Sequence, residues 1–342
     1  MSMKTGSTVR RPHEGHPAGR PDGDAQRAGD RRIRSDVWAG SSRNRLGDRV
    51  FAGTARSAGL VILLALVGVV VFLTSEGLPA LKAGPLDLRG HGNLVAYLWP
   101  LVFGTVLAAT LAMLIAAPLS VGVALAVSHF TPRPVGRAIG HVVDLLAAIP
   151  SVVYGLWGIG VLGPRLVPVY QWLGEHLSWL AFFSGPVSPT GRTILTAAIV
   201  LAIMVLPIVT AIAREIFAQT PLLQEEAALA LGATRWEMVR LAVLPYARSG
   251  LVSAVMLGLG RALGETMAVA MVLSATGVVT FDLTSSTNPS TIAANIALNF
   301  PESSGLAVNA LIASGLVLFA ITLAVNVAAR ALVASRGRSL GR

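Results

Sequence analysis

The chain has 342 residues, 54% of them hydrophobic and 13% charged, with a formal net charge of +10. A soluble globular domain carries about 25% charged residues, so much of this chain has lipid rather than water as its solvent. It contains no cysteine, which excludes disulfides, zinc–thiolate centres and cysteine nucleophiles.

The first fifty residues hold eleven Lys/Arg, from Lys4 to Arg49, against six Asp/Glu. Gly, Pro and Arg dominate and apolar residues are few, so segment 1–50 is expected to be disordered. A basic tail of this kind suits nucleic acid or anionic lipid. Placed just before a membrane span, it fits the lipid surface better. The first apolar run starts near Ala58, too deep for a cleavable signal peptide, and is expected to act as an uncleaved anchor.

Six runs are long and apolar enough to cross a bilayer, which takes about 20 residues. They are Ala58–Thr74, a run within Trp99–Phe130, Val143–Leu162, Thr193–Ala213, Ser249–Thr276 and Leu306–Val333. Pro118, Pro150 and Pro207 fall inside three of them and are tolerable where neighbouring helices satisfy the freed carbonyls. An all-α polytopic membrane protein with six transmembrane helices follows. Arg133 and Arg137, the loop holding Arg214, Arg235, Arg240 and Arg248, and the tail with Arg330, Arg336, Arg338 and Arg342 lie on one side. The opposite loops are poorer in Lys and Arg, so both termini are expected in the cytoplasm.

Smaller signals lie in the earlier spans. Pro150, Ser151 and Tyr154 either kink and pack the third span or line a path. Asp144 either meets Arg137 or Arg214 or is solvated at the interface. The six histidines lie outside the spans or near their ends, which argues against a buried metal site.

The segment Arg214–Arg248 is more than a connector. Thr220 is placed to N-cap a helix with Pro221 at its first position. That helix is expected to run through Leu231, and Gly232 suits a left-handed C-terminal cap. Thr234 and Glu237 have capping-box spacing and would start a second helix, which Pro245 ends or bends into the fifth span. A helix–turn–helix of this kind either docks into a partner's groove or packs only on its own membrane domain.

Within it, Glu226-Ala227-Ala228, three residues, Gly232, nine residues, Ala242, one residue and Leu244-Pro245 resemble the EAA motif of ABC-importer permeases. The single departure is Ala242, where a larger aliphatic residue is usual. The stretches "LPYARSGLVSAVMLGLGRALGETMAV" and "AAIPSVVYGLWG" further resemble permease subunits of bacterial phosphate ABC importers, in the C-type (PstC-like) form. The resemblance covers residues 58–335, a permease domain whose coupling loop is 214–248. It implies an ABC-importer permease (MetI-like) fold in the bacterial plasma membrane. It further implies an A-type permease partner, two ATP-binding subunits, an extracytoplasmic phosphate-binding protein, and no cofactor or metal. Glu226, Ala227, Ala228, Gly232, Leu244 and Pro245 would couple to the ATPase. Arg261, Glu265 and Thr266 would lie on the substrate path.

The fifth span carries Arg261 and Glu265. Each charge at mid-bilayer costs ~2.5–3.5 kcal/mol. On a continuous helix a spacing of four leaves them about 40° apart, so they pair on one face, with Gly260 and Gly264 alongside in GxxxG spacing. Such a pair either fixes helix register or gates a path for an anion. In the second case Arg261 binds the oxyanion and Glu265 keeps the empty site neutral.

Gly258, Gly260 and Gly264 do not form a dinucleotide fingerprint, and no Gly-Lys-Ser/Thr occurs, so ATP must be bound elsewhere. The loop Gly277–Ser304 either meets a solute-binding protein or is an ordinary loop with an interfacial helix. Two rival classes remain: a proton-coupled secondary transporter with Glu265 as carrier, and an importer for sulfate, molybdate or another oxyanion. An integral-membrane enzyme fits less well.

Overall fold

The computed structural model describes residues 45–85 and 87–338, so the basic segment expected to lack structure lies outside the described residues as far as residue 44. Helix α1, Arg45–Gly77, begins inside that segment, with Asp48 in its first turn complementing the helix dipole. The described residues divide between Gly68 and Val69 into two units. In the described part of the first, the Thr54 and Ser57 hydroxyls donate to the carbonyls of Phe51 and Thr54 at 2.9 Å, so these polar side chains find partners within their own helix.

In the second unit a short 3₁₀ turn, Leu78–Lys82, leads toward α2, Leu94–Leu125. Asn93 caps α2 by accepting from the Ala96 N–H at 2.8 Å. A π-helical turn, Ala126–Phe130, extends it. Next come α3 (Arg133–Ala147), α4 (Ser151–Trp157) and α5 (Gly163–His176). Then α6 (Ile194–Ala218), α7 (Leu222–Ala230) and α8 (Arg235–Met238) follow. The series ends with α9 (Leu244–Leu263), α10 (Met267–Val272), α11 (Ile292–Asn299) and α12 (Leu306–Arg338). Among the described residues six helical stretches are long and apolar enough to cross a membrane: Gly47–Lys82, Leu94–Phe130, Ser151–His176, Ile194–Ala218, Arg235–Leu263 and Leu306–Ala331.

The first span is longer than its sequence reading at both ends, Gly47–Lys82 against Ala58–Thr74, and two others start or end elsewhere. The third starts at Ser151, not Val143, because Ile149 precedes Pro150 and is driven out of the helical region. Residues 133–147 form a separate amphipathic helix that buries Gly136, Gly140 and Val143. The span then carries on past Leu162 through a π turn, Gly158–Leu162, into α5, with Pro164 at its first turn. The fifth span ends at Leu263 and begins far earlier, at Arg235.

The core is built on α2 and α6. Ala108, Ala109, Ala112 and Ala116 form one buried cluster with Ala197, Leu201, Val205 and Val209. Small residues let the two backbones come close, which is how helices gain packing energy in lipid. The Ser120 hydroxyl donates to the Leu206 carbonyl at 3.1 Å, and the Thr210 hydroxyl donates back to the Ser120 carbonyl at 3.4 Å. Gly258 brings α9 onto this pair. A Cβ there would sit 2.6 Å from Val209 Cγ2 and 2.8 Å from Val205 Cγ1.

The segment 277–304 folds into the molecule. Thr284, Ser285, Asn288, Ser290 and Thr291 are buried. Asn288 is the centre of this packing. Its Oδ1 accepts from the Ile194 N–H at 3.1 Å, and its Nδ2 donates to the carbonyls of Ser285 (2.9 Å), Ser274 (3.3 Å) and Arg192 (3.4 Å). The Thr105 hydroxyl accepts from the Ile292 N–H at 2.9 Å and ties α11 to α2.

Candidate functional site

At one end of the second unit, α7 and α8 meet at a tight turn. Pro221 rather than Thr220 is the N-cap of α7. A proline has no side-chain acceptor, and Thr220 Oγ1 is buried without a hydrogen-bond partner among the described residues. The C-terminus follows the sequence closely. Gly232 has φ +87°, its N–H donates to the Leu229 carbonyl at 3.0 Å, and the Ala233 N–H donates to the Ala228 carbonyl at 3.2 Å. This paired closure needs the left-handed residue that glycine supplies without strain. The Thr234 N–H then donates to Glu237 Oε2 at 2.8 Å, and the Glu237 N–H to Thr234 Oγ1 at 3.3 Å, a complete capping box.

Pro245 does not end the second helix. A π turn, Val239–Val243, joins α8 to α9 and absorbs the ring, so Arg235–Leu263 is a single helical rod of 29 residues. Met238, Val239 and Val243 anchor its base against Leu125, Ala213 and Phe217. The surface of α7 and the turn is left open. Glu226 and Ala227 are exposed and Ala228 is half-buried, while Leu223 is 79% exposed and Leu231 90%. Ala227, Ala228, Leu231, Gly232 and Ala242 line a groove of about 720 Å³. The small Ala242 belongs to that groove. Leu244 is half-buried against the base of the rod and Pro245 is exposed.

The rod's far end carries the charged pair. Glu265 is not on the same helix as Arg261: α9 stops at Leu263, Gly264 is its C-cap, and α10 starts at Met267. The two charges meet because the chain breaks there. An Arg261 Nη2 N–H lies 3.4 Å from Glu265 Oε2, and the Ala268 N–H donates to Glu265 Oε1 at 3.2 Å. The carboxylate is thus held between a guanidinium and a helix N-terminal amide. The pair is asymmetric: the Glu265 side chain is 2% exposed and that of Arg261 47%. Arg261 lines a cleft of about 750 Å³ with Ile208, Ser253, Gly260, Asn326 and Arg330. Its nearest other polar contact is Met204 Sδ at 4.0 Å. Thr266 turns its hydroxyl to the Gly264 carbonyl at 3.1 Å and does not line that cleft. Gly260 has open space where a Cβ would lie, and Gly264 meets only Gly260, so no helix among the described residues crosses this GxxxG pair.

The remaining sequence candidates are structural neighbours. Asp144 pairs with Arg214 at 3.3 Å. Tyr154 donates its hydroxyl to the Leu146 carbonyl at 2.9 Å and Pro150 caps α4. Two contacts escaped sequence reasoning. His129 Nε2 lies 3.5 Å from Glu225 Oε1, tying the end of α2 to α7, and Arg192 donates to the Met271 carbonyl at 3.1 Å, bracing α10. Neither leaves a local sequence signature, because each joins residues about eighty to a hundred apart.

Residues 118–338 match the model of the family described as binding-protein-dependent transport system inner membrane component. The chain belongs to that family. Its relatives include the phosphate transport system permease protein PstC 2 of Mycobacterium tuberculosis, 45% identical over 304 residues, 85% of this chain and 93% of that protein. PstC of Mycobacterium leprae is 42% identical over 309 residues, covering 87% and 96%. PstC of Mesorhizobium japonicum is 38% identical over 314 residues, covering 87% and 93%. Among solved structures, an inward-facing MetNI methionine ABC transporter is similar with a TM-score of 0.48 at 16% identity, over 70% of this chain and 93% of that one. As an inner membrane component with six apolar spans, the chain is a multi-pass membrane protein.

Proposed function

We propose that this chain is the C-type permease subunit of an ATP-driven importer carrying inorganic phosphate across the bacterial plasma membrane, with both termini in the cytoplasm. The observation that carries the proposal is the asymmetric Arg261–Glu265 pair at a helix break, in a chain 45% identical to a mycobacterial phosphate permease. A guanidinium opening on a cleft offers planar, charge-assisted donors to a tetrahedral oxyanion. A buried carboxylate behind it lowers the cost of that cation in the empty state and limits how tightly the anion is held.

The open groove around Ala227, Gly232 and Leu231 supports docking by an ATPase subunit. Two such subunits, an A-type permease and an extracytoplasmic phosphate-binding protein complete the assembly. ATP binding at the docked subunits pushes on α7 and the Gly232 turn. The rod Arg235–Leu263 carries that displacement ~40 Å to Arg261 at 1.5 Å per residue. Outward opening accompanies ATP binding, and hydrolysis resets the pair. The chain itself contributes binding and motion, and the ATPase supplies the energy.

The assembled complex in proteoliposomes separates this reading from a proton-coupled carrier. Phosphate uptake should require internal ATP and the ATPase subunits and should proceed without a pH gradient. Uptake driven by a pH gradient with no ATPase present would contradict it.

A further inference from the structure

At the end of the second unit opposite α7 lies a polar cluster that the proposed transport step does not use. The turn before α2 places Arg89 at φ +53°, and among the described residues it is the one non-glycine residue with positive φ. Asparagine, aspartate and glycine take that conformation readily and a long side chain does so at a cost. The turn is fixed by Leu88, which is fully buried, and by the His91 N–H donating to the Leu88 carbonyl at 3.1 Å.

Arg89 lines a cavity of about 250 Å³ together with His91, Tyr97, Ser290, Asn295 and Asn299. The floor is a one-way relay. Asn299 Nδ2 donates to Asn295 Oδ1 at 2.6 Å, and Asn295 Nδ2 donates to Tyr97 Oη at 2.7 Å. The relay uses the Tyr97 oxygen as acceptor and leaves its O–H to donate elsewhere. Among the described residues Arg89 has no carboxylate within ion-pair distance. His91 packs edge-on against the Tyr97 ring at 5.7 Å. A second cavity of about 260 Å³ shares Arg89, Tyr97 and Asn299 but includes Asp87 and Glu302. Two carboxylates repel an anion there, whereas no carboxylate lines the first chamber.

We infer that Arg89, His91, Tyr97 and Asn299 form a second oxyanion site, an outer holding position for inorganic phosphate ahead of Arg261. The inference rests on the importer reading above. A guanidinium, an imidazole, a phenol O–H and an amide line one small chamber that has no carboxylate, a set that suits a tetrahedral anion better than a cation.

The test uses the complete importer without its binding protein, in phosphatidylcholine nanodiscs, carrying Arg261→Gln so that the first site is silent. The probe is radiolabelled orthophosphate at equilibrium. The host complex should bind it. Adding Arg89→Asn, which keeps a residue suited to positive φ, should weaken binding about tenfold or more, the scale of one lost charge-assisted contact. His91→Gln should weaken it less and serves if the first variant assembles poorly. No binding by the host, or undiminished binding in both variants, overturns the inference. Binding that vanishes when phosphatidylglycerol is included assigns the chamber to a lipid headgroup and also overturns it. Uptake by the wild-type complex with its binding protein keeps the two readings apart. Phosphate uptake with a silent Arg89 chamber sinks this inference alone, and a complex that imports a different anion sinks both.

Discussion

Arg261 and Glu265 are spaced as neighbours on a helix, yet they meet across a break in it. The sequence revealed that two charges in an apolar run must neutralise each other, since an unpaired charge in lipid costs several kcal/mol. The break itself was signalled only by Gly264, whose αL-permissive, side-chain-free backbone also fits a mid-helix position. The asymmetry was not legible, because burial of Glu265 depends on the Ala268 N–H and on the start of α10 after the break. Two outcomes follow. Arg261→Gln should cut phosphate uptake by about two orders of magnitude, the scale of ~3 kcal/mol for leaving the buried Glu265 carboxylate without its cation, while membrane levels stay normal. Glu265→Gln keeps an acceptor for the Ala268 N–H but leaves Arg261 uncompensated. It should lower the maximal uptake rate without raising the half-saturating phosphate concentration, measured by initial-rate kinetics on the same complexes. A Glu265→Gln importer with wild-type maximal rate would remove the release role.

Under the proposed function, the element that would link docking to Arg261 is the rod Arg235–Leu263. Its start was readable in the sequence: the Schellman closure at Gly232 and the Thr234–Glu237 box depend on neighbours within five residues. Its continuity was left open, because Pro245 either ends a helix or bends it, and a π turn that absorbs the clash decides for continuity. Pro150 misled in the opposite sense: it reads as a tolerated proline inside the third span, and the chain breaks there between Ala147 and Ser151. Gly232→Val forces a β-branched residue to φ +87° and should cost about 1–2 kcal/mol locally. Its readout is coupling: ATP hydrolysis by the assembled importer should lose its stimulation by phosphate-loaded binding protein, though the subunits still co-purify at reduced yield. Gly258→Val acts higher on the rod. Its side chain collides with Val205 and Val209 and should destabilise the fold by about 1–3 kcal/mol, seen as a lower melting temperature of the purified complex. An unchanged melting temperature would mean that α9 does not pack on α6 as described.

For the whole molecule, the all-α class, the six spans and the helix–turn–helix before the fifth span were visible in hydrophobicity and punctuation, because lipid demands long helices with internally satisfied backbones. Where the chain folds back was invisible. Residues 277–304 are rich in Ser, Thr and Asn, which reads as a surface loop, but Asn288 spends its amide on four backbone groups from three separate stretches. Only the tertiary fold supplies those partners. Family resemblance added the substrate, which no periodicity or charge pattern carries. Substrate is therefore the claim to test first. Cells lacking their own phosphate importer should receive this subunit with its permease, ATPase and binding-protein partners, and initial uptake of labelled phosphate should be followed with and without excess sulfate. The account predicts ATP-dependent uptake that sulfate does not reduce. No phosphate uptake, or uptake suppressed by sulfate, would contradict it.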